Sequence, residues 1–241
     1  MAVKSKAPSS AGPDGSDQTI KAMVLPEIKT ERLIIEIVGV TRLVSNKFSN
    51  KARWKMLQAQ KGEKLPKEKR DPDGDFQRSL HKLAPDKKGR PRYGFPVTGV
   101  KEAMATAAAR FFNQNKVAIY GTVYLIGEPS VPDTVHDPAL PGITFSPEDC
   151  LEIVGDVTMR TDMVRNSGIG RTADIRFRGA FEKWHARLLI EFKKEFITAE
   201  SLARLLEHAG SMVGLGEWRT EKGGDWGRFE VKKAGAVTEA A

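Results

Sequence analysis

Cysteine is nearly absent from this sequence: Cys150 is the single one in 241 residues. One thiol closes no intramolecular disulfide and builds no multi-cysteine zinc site, which points to a reducing compartment. The histidines His81, His136, His185 and His208 are scattered and lack zinc-ligand spacing as well, so neither a metal nor a cofactor is expected. Long apolar runs are also missing, and nothing approaches the ~20 residues a membrane helix requires. The stretch from Met1 to about Ser16 carries lysines but no apolar h-region, so it does not read as a secretory signal. These absences predict a cytoplasmic chain with no membrane partner. Composition predicts disordered tails at 1–28 and 234–241 around a single domain spanning 29–233.

What the chain has in excess is positive charge. There are 39 Lys and Arg against 31 Asp and Glu, a formal charge of +8. The segment Ser45 to Pro96 holds 15 of the basic and 6 of the acidic residues, a net +9 that accounts for the whole excess. Charge gathered in one insertion suits a phosphate-binding arm, whereas a scattered excess would be an ordinary solvated surface.

Glu31 to Val44 is rich in β-branched residues and reads as a buried strand. Lys51 to Gln60 predicts a short helix. The breaker-rich stretch from Lys61 to Arg92, with Pro66, Asp71-Pro72, Asp73-Gly74, Pro85 and Lys88-Gly89-Arg90-Pro91, predicts a mobile projection. Thr98 is the expected cap of a helix running through the alanines to Phe112. Lys116 to Gly127 has strand patterning, and proline-punctuated chain follows from Glu128 to Pro147. A strand is expected at Cys150 to Val157, a loop at Met159 to Gly170, and strands at Ala173 to Phe181 and Trp184 to Phe192. Thr198 caps the next helix, whose Leu202, Leu205, Leu206 and Ala209 form one apolar face. Trp226 to Lys232 is the last strand.

Without insertions at 45–92 and 128–173, the order is strand, helix, strand, then strand, helix, strand. That order predicts an α+β, ferredoxin-like (split βαβ) core: a four-stranded antiparallel sheet with both helices on one face. The fold by itself licenses no function.

Between the second helix and the last strand lies Gly214 to Arg228, with five glycines interleaved with Trp218, Arg219, Lys222, Trp226 and Arg228. Glycines serve positive φ angles or close approach to another molecule. Indole and guanidinium groups together stack on bases and neutralise phosphates. A long turn with buried tryptophans explains the same residues without a ligand.

Two of these segments resemble a known family. Gly94-Phe95-Pro96-Val97-Thr98-Gly99-Val100-Lys101-Glu102-Ala103 resembles the motif at the first helix of the RAMP (repeat-associated mysterious protein) superfamily, which includes RNA-binding backbone subunits of CRISPR effector complexes. Thr98-Gly99 stands where that motif has a serine pair, and Glu102 where it has glycine. Gly214 to Gly227 resembles the C-terminal glycine-rich loop of the same superfamily. As a whole, the chain is similar to a group of tailed-phage proteins through Met163-Val164-Arg165-Asn166, Ala173-Asp174-Ile175-Arg176 and Gly214-Leu215-Gly216-Glu217-Trp218-Arg219. The resemblance implies a RAMP-like fold in a bacterial or phage-infected host cytoplasm, with the two insertions gripping nucleic acid and a neighbouring subunit.

The expected ligand is single-stranded RNA or DNA, bound without sequence preference by a chain that forms homo-oligomers along it. The candidate contacts are Lys51, Arg53 and Lys55 in the basic insertion and Lys101 at the first helix. A mid-domain track of Arg160, Arg165, Asn166, Arg171, Arg176 and Arg178 joins them, with Trp218, Arg219, Lys222 and Arg228 in the glycine loop. A solvated β-edge that uses charge against edge pairing explains the same arginines. Two other classes remain. A phage structural or assembly protein would use the insertions to interlock subunits. A RAMP-like endoribonuclease would need a group such as His81, or a metal at Asp71, Asp73 and Asp75. Binding is favoured over catalysis, because the aspartates surround an ordinary Pro-Gly turn.

Overall fold

Strand β1 (Thr30–Gly39) alternates: Leu33, Ile35 and Ile37 are buried while Ile34, Glu36 and Val38 face the other way. The computed structural model describes residues 27–63, 69–132, 145–165 and 173–236, with side chains as far as Lys232 in the last stretch. β2 (Leu43–Ser45) and helix α1 (Asn50–Gln60) follow, then α2 (Pro72–Arg78), β3 (His81–Leu83), β4 (Arg92–Pro96), α3 (Val97–Phe112) and α4 (Lys116–Thr122). Next come β5 (Val123–Ile126), β6 (Glu128–Pro129), β7 (Asp149–Val154), β8 (Val157–Arg165), β9 (Ala173–Phe181) and β10 (His185–Lys193). Helix α5 (Ala199–Met212) and β11 (Phe229–Ala236) are the last of the described α-helices and strands.

The architecture is mixed α+β with antiparallel sheets. In the larger sheet, β11 pairs β1, β1 pairs β10, and β10 pairs β5, all antiparallel. The far edge of β10 is shared. Leu189 to Phe192 bond to β5, while His185 and Ala186 bond to β7, which continues the sheet to β4 and β3. Helices α3 and α5 bury their apolar residues against the same sheet face. Alanines at 103, 105, 107 and 108 let α3 lie close. On α5, Leu202, Leu205, Leu206 and Ala209 recur at helical spacing, and each fully buried leucine contributes roughly 1.5–3 kcal/mol. Thr198 caps this helix, its hydroxyl accepting from the Ser201 amide at 3.1 Å. The smaller sheet has the order β2-β9-β8.

Several expectations are corrected. The chain after Pro72 is no projection: Leu80, His81 and Leu83 are buried, and β3 joins the large sheet beside β4. Asp71 caps α2 by accepting from the Gly74 amide, and Pro72 occupies the first turn, where its missing N–H costs nothing. Helix α3 begins at Val97 with no side-chain cap, so Thr98 lies inside its first turn. Lys116 to Thr122 is helical, capped by Asn115, and strand begins only at Val123. Met159 to Arg165 belongs to a strand rather than a loop, paired to β9 along its length. β11 runs on to Ala236, past the start of the expected C-terminal tail. The expected N-terminal tail lies outside the described residues up to position 26. Among the described residues, no helix is long and apolar enough to cross a membrane.

Candidate nucleic-acid interface

The β4–α3 junction and the glycine-rich loop, far apart in sequence, face each other across a cleft of about 250 Å³. Phe95, Pro96 and Gly99 line one wall and Val213 to Glu217 the other, with Asn46 and His81 between them. The loop is held by backbone bonds to two places around β2 and by one across itself. Glu217 donates to the Val44 carbonyl at 3.1 Å, Gly227 to the Arg42 carbonyl at 2.7 Å, and Trp226 to the Trp218 carbonyl at 3.1 Å. Gly214, Gly216, Gly223 and Gly227 take positive φ. Trp218 does so as well, at φ 51, an unfavourable backbone for a non-glycine residue, and its side chain is 49 % exposed.

Beside this loop lies the even-numbered face of the β8–β9 hairpin. The register sets Arg160 opposite Arg178 and Asp162 opposite Arg176, so all four project on one side. The Arg160 guanidinium lies 4.3 Å from the Trp226 ring centre, and that of Arg42 lies 5.7 Å from it. Trp218 and Trp226 are 6.2 Å apart. Stacked guanidinium and indole groups next to an exposed indole form a surface that can receive a flat, anionic chain.

Arg178 does not belong to that outer surface. It is 2 % exposed, with Nη1 at 3.9 Å from Asp162 Oδ2 and 4.0 Å from Glu217 Oε2. Burial lowers its pKa, opposed by the charges of Glu217 and Asp162, and a guanidinium remains protonated nonetheless. It ties the hairpin to the glycine loop from beneath and is not a phosphate contact.

The other predicted residues divide. Arg160 joins the surface while also pairing with Asp162 at 2.9 Å. Arg176 is half-buried, 3.6 Å from Asp174. Arg165 is exposed on the opposite face of the hairpin from Arg160 and Arg176, and Asn166 and Arg171 of the expected track lie outside the described residues. Arg219 is occupied within the loop: its Nε donates to Glu221 Oε2 at 2.9 Å and its Nη1 to the Gly216 carbonyl at 3.2 Å. Lys222 is exposed beside it, and Arg228 is half-buried. Lys101 is turned away from the cleft, donating to the Tyr120 carbonyl at 2.8 Å and lying 4.7 Å from the Tyr124 ring centre. Burial lowers its pKa. Lys51, Arg53 and Lys55 share α1, where Arg53 pairs with Glu148 and stacks on Phe145, away from the loop. His81 is buried on the cleft wall with Nδ1 at 3.2 Å from Glu148 Oε2. Asp71 is a helix cap, and Asp75 pairs with Arg70 and Arg78. Among the described residues, no group of three or more metal-ligating side chains is present.

Arg42 escaped the sequence reading altogether. It follows the first strand with no periodicity or motif to single it out, and only the fold brings it to Trp226.

No family model and no curated protein sequence matches the chain. Among solved structures, it is similar to Cmr6 from Pyrococcus furiosus, at 12 % identity over 86 % of this chain and all of that one, with a TM-score of 0.38.

Proposed function

We propose that this chain binds single-stranded RNA or DNA, without sequence preference, at the glycine loop and the adjoining face of the β8–β9 hairpin. The observation that carries the proposal is the Trp226 ring stacked by Arg160 and Arg42 beside the exposed Trp218. The order β11-β1-β10-β5 within the larger sheet, with α3 and α5 on one face, supports a split βαβ, ferredoxin-like core. Residues 29–233 then form one RAMP-like domain carrying the insertions 45–92 and 128–173. The two segments that resemble the RAMP superfamily meet at one cleft, which supports the same reading. Phosphate neutralisation plus base stacking is the mechanism, so affinity falls steeply as salt rises.

Fluorescence anisotropy with labelled single-stranded RNA, single-stranded DNA and duplex across a salt series tests it. Trp218→Gly is the informative variant. Glycine relaxes the left-handed backbone, so thermal stability is kept, while loss of a stacking platform weakens binding by about 1–3 kcal/mol. Absence of salt-dependent binding to either single strand would sink the proposal.

A second reading, an assembly protein, draws support from Met163, which is 79 % exposed and sits opposite the exposed Ile175 on the outer face of the hairpin. Mass photometry without nucleic acid separates the two, because spontaneous polymers with no binding would favour assembly.

A further inference from the structure

The outer edge of β8 has no strand partner among the described residues. Among the described residues, β8 pairs with β9 alone, along all nine residues from Val157 to Arg165 and without a bulge. A strand edge of that length presents a row of backbone N–H and C=O groups, and proteins usually blunt such edges with proline, bulges or lysine. β8 has no proline, glycine or lysine.

Its sequence has a different property. Around Thr161 the order Met159-Arg160-Thr161-Asp162-Met163 is self-complementary when read against an antiparallel copy. With Thr161 opposite Thr161 of the second copy, Arg160 faces Asp162 and Asp162 faces Arg160. Met159 faces Met163, and Thr158 faces Val164. Registers centred on Arg160 or on Asp162 place like charges opposite each other, as does a parallel in-register pair, and directly opposed like charges destabilise a sheet. Arg160 and Asp162 share the face of Arg178, whereas Met159, Thr161 and Met163 share the other, where both methionines are exposed. Each Asp162 would gain a further guanidinium beyond those of Arg160 and Arg178 in its own chain, and the exposed methionines would cover one another.

We infer that a second copy of this chain adds to the β8 edge, antiparallel, about a two-fold axis through Thr161. The contact is isologous and closes as a dimer, joining two three-stranded sheets into one of six strands. An axis perpendicular to the sheet keeps both Arg160 faces on the same side. Two glycine loops then lie on one side of the joined sheet, a consequence that rests on the binding reading above only for its use.

The test uses the full chain without nucleic acid, so its failure leaves the binding proposal untouched. Size-exclusion chromatography with light scattering over a concentration series is expected to show a doubling of mass. Arg160→Asp and Asp162→Arg each set like charges across the axis, and each protein is expected to stay monomeric. An equimolar mixture of the two restores both ion pairs, and the mass doubles again. Asp162→Arg places a cation near buried Arg178, so a second measurement stands independent of its folding. Thr161→Cys should give a disulfide-linked dimer on mild oxidation and Thr158→Cys should not, while native Cys150 is buried and contributes none. A wild-type monomer at every concentration, or equal cross-linking at 158 and 161, overturns the inference.

Discussion

Gly227 and Gly223 share a backbone conformation and differ in their surroundings, which separates two costs of replacing a glycine. Both lie in the left-handed region, at φ 68 and φ 79. A Cβ at Gly223 meets nothing within 4 Å, whereas one at Gly227 would overlap the Leu215 carbonyl oxygen, an atom held in place by the loop's backbone bonds. Gly223→Ala should therefore lose only the backbone term, about 1–2 kcal/mol, and Gly227→Ala should lose that and more. In thermal denaturation of a chain this size, each kcal/mol lowers Tm by about 2–4 °C. Equal Tm values for the two variants would show that the chain around Gly227 yields to a Cβ and that the close approach to Leu215 is no constraint. Because Gly227 anchors the loop to Arg42, its replacement should also disturb the Trp226 stack, while Gly223→Ala leaves that stack in place.

At the scale of elements, Glu102 of α3 fixes the start of α4. Its carboxylate accepts from Lys116 Nζ at 2.6 Å, from the Tyr120 hydroxyl, and from Thr106 Oγ1 at 3.1 Å. Hydrogen bonding to Lys116 is the largest cause holding its pKa below the usual 4.5, with Tyr120 next, against the opposing effect of burial. A carboxyl depressed in the folded state stabilises above its unfolded value and loses that contribution as pH falls through the lowered one. The contribution is therefore full above about pH 5 and disappears in the acid limb below 4.5. Half-exposure of the side chain limits the amount to about 0.2–1 kcal/mol. Urea midpoints at pH 7 and pH 3 should differ less in Glu102→Gln than in the native chain. An unchanged difference would rule this network out. The same contacts explain why Lys116 to Thr122 reads as strand in sequence. Val117, Ile119 and Val123 alternate like a strand, and the helix depends on the Asn115 cap and on partners supplied by α3. β8 was hidden for the converse reason: its exposed methionines and paired charges show no buried stripe, and its strand state comes from β9. Elements with their own apolar face, such as α5 with Leu202, Leu205, Leu206 and Ala209, were legible without partners. Of the candidate site, Trp218 and Trp226 were visible as a cluster in one loop, but the guanidiniums on Trp226 come from the turn before β2 and from within β8, and no local pattern joins them.

For the whole molecule, the distribution of buried apolar groups sets what opens first. α1 buries only Trp54 among its eleven residues, whereas α3 buries eight of its sixteen. The glycine loop, despite its composition, is bonded to the chain around β2 through Glu217 and Gly227 and has Leu215 in the core. Regions with few buried contacts open at low free energy, and those bonded into the core open near the global limit. Native-state hydrogen exchange should show the α1 amides exchanging at least about tenfold faster than those of α3, equivalent to roughly 1.4 kcal/mol. The Glu217 and Gly227 amides should exchange slowly, with the core. That pairing matters for binding. A loop already ordered in the free chain loses little conformational entropy when a strand stacks on it. Slow exchange in the loop therefore implies that Trp218 and Trp226 form a preformed platform. If the loop amides instead exchange as fast as those of α1, the platform forms only with its ligand, and Gly227→Ala should then change binding more than stability.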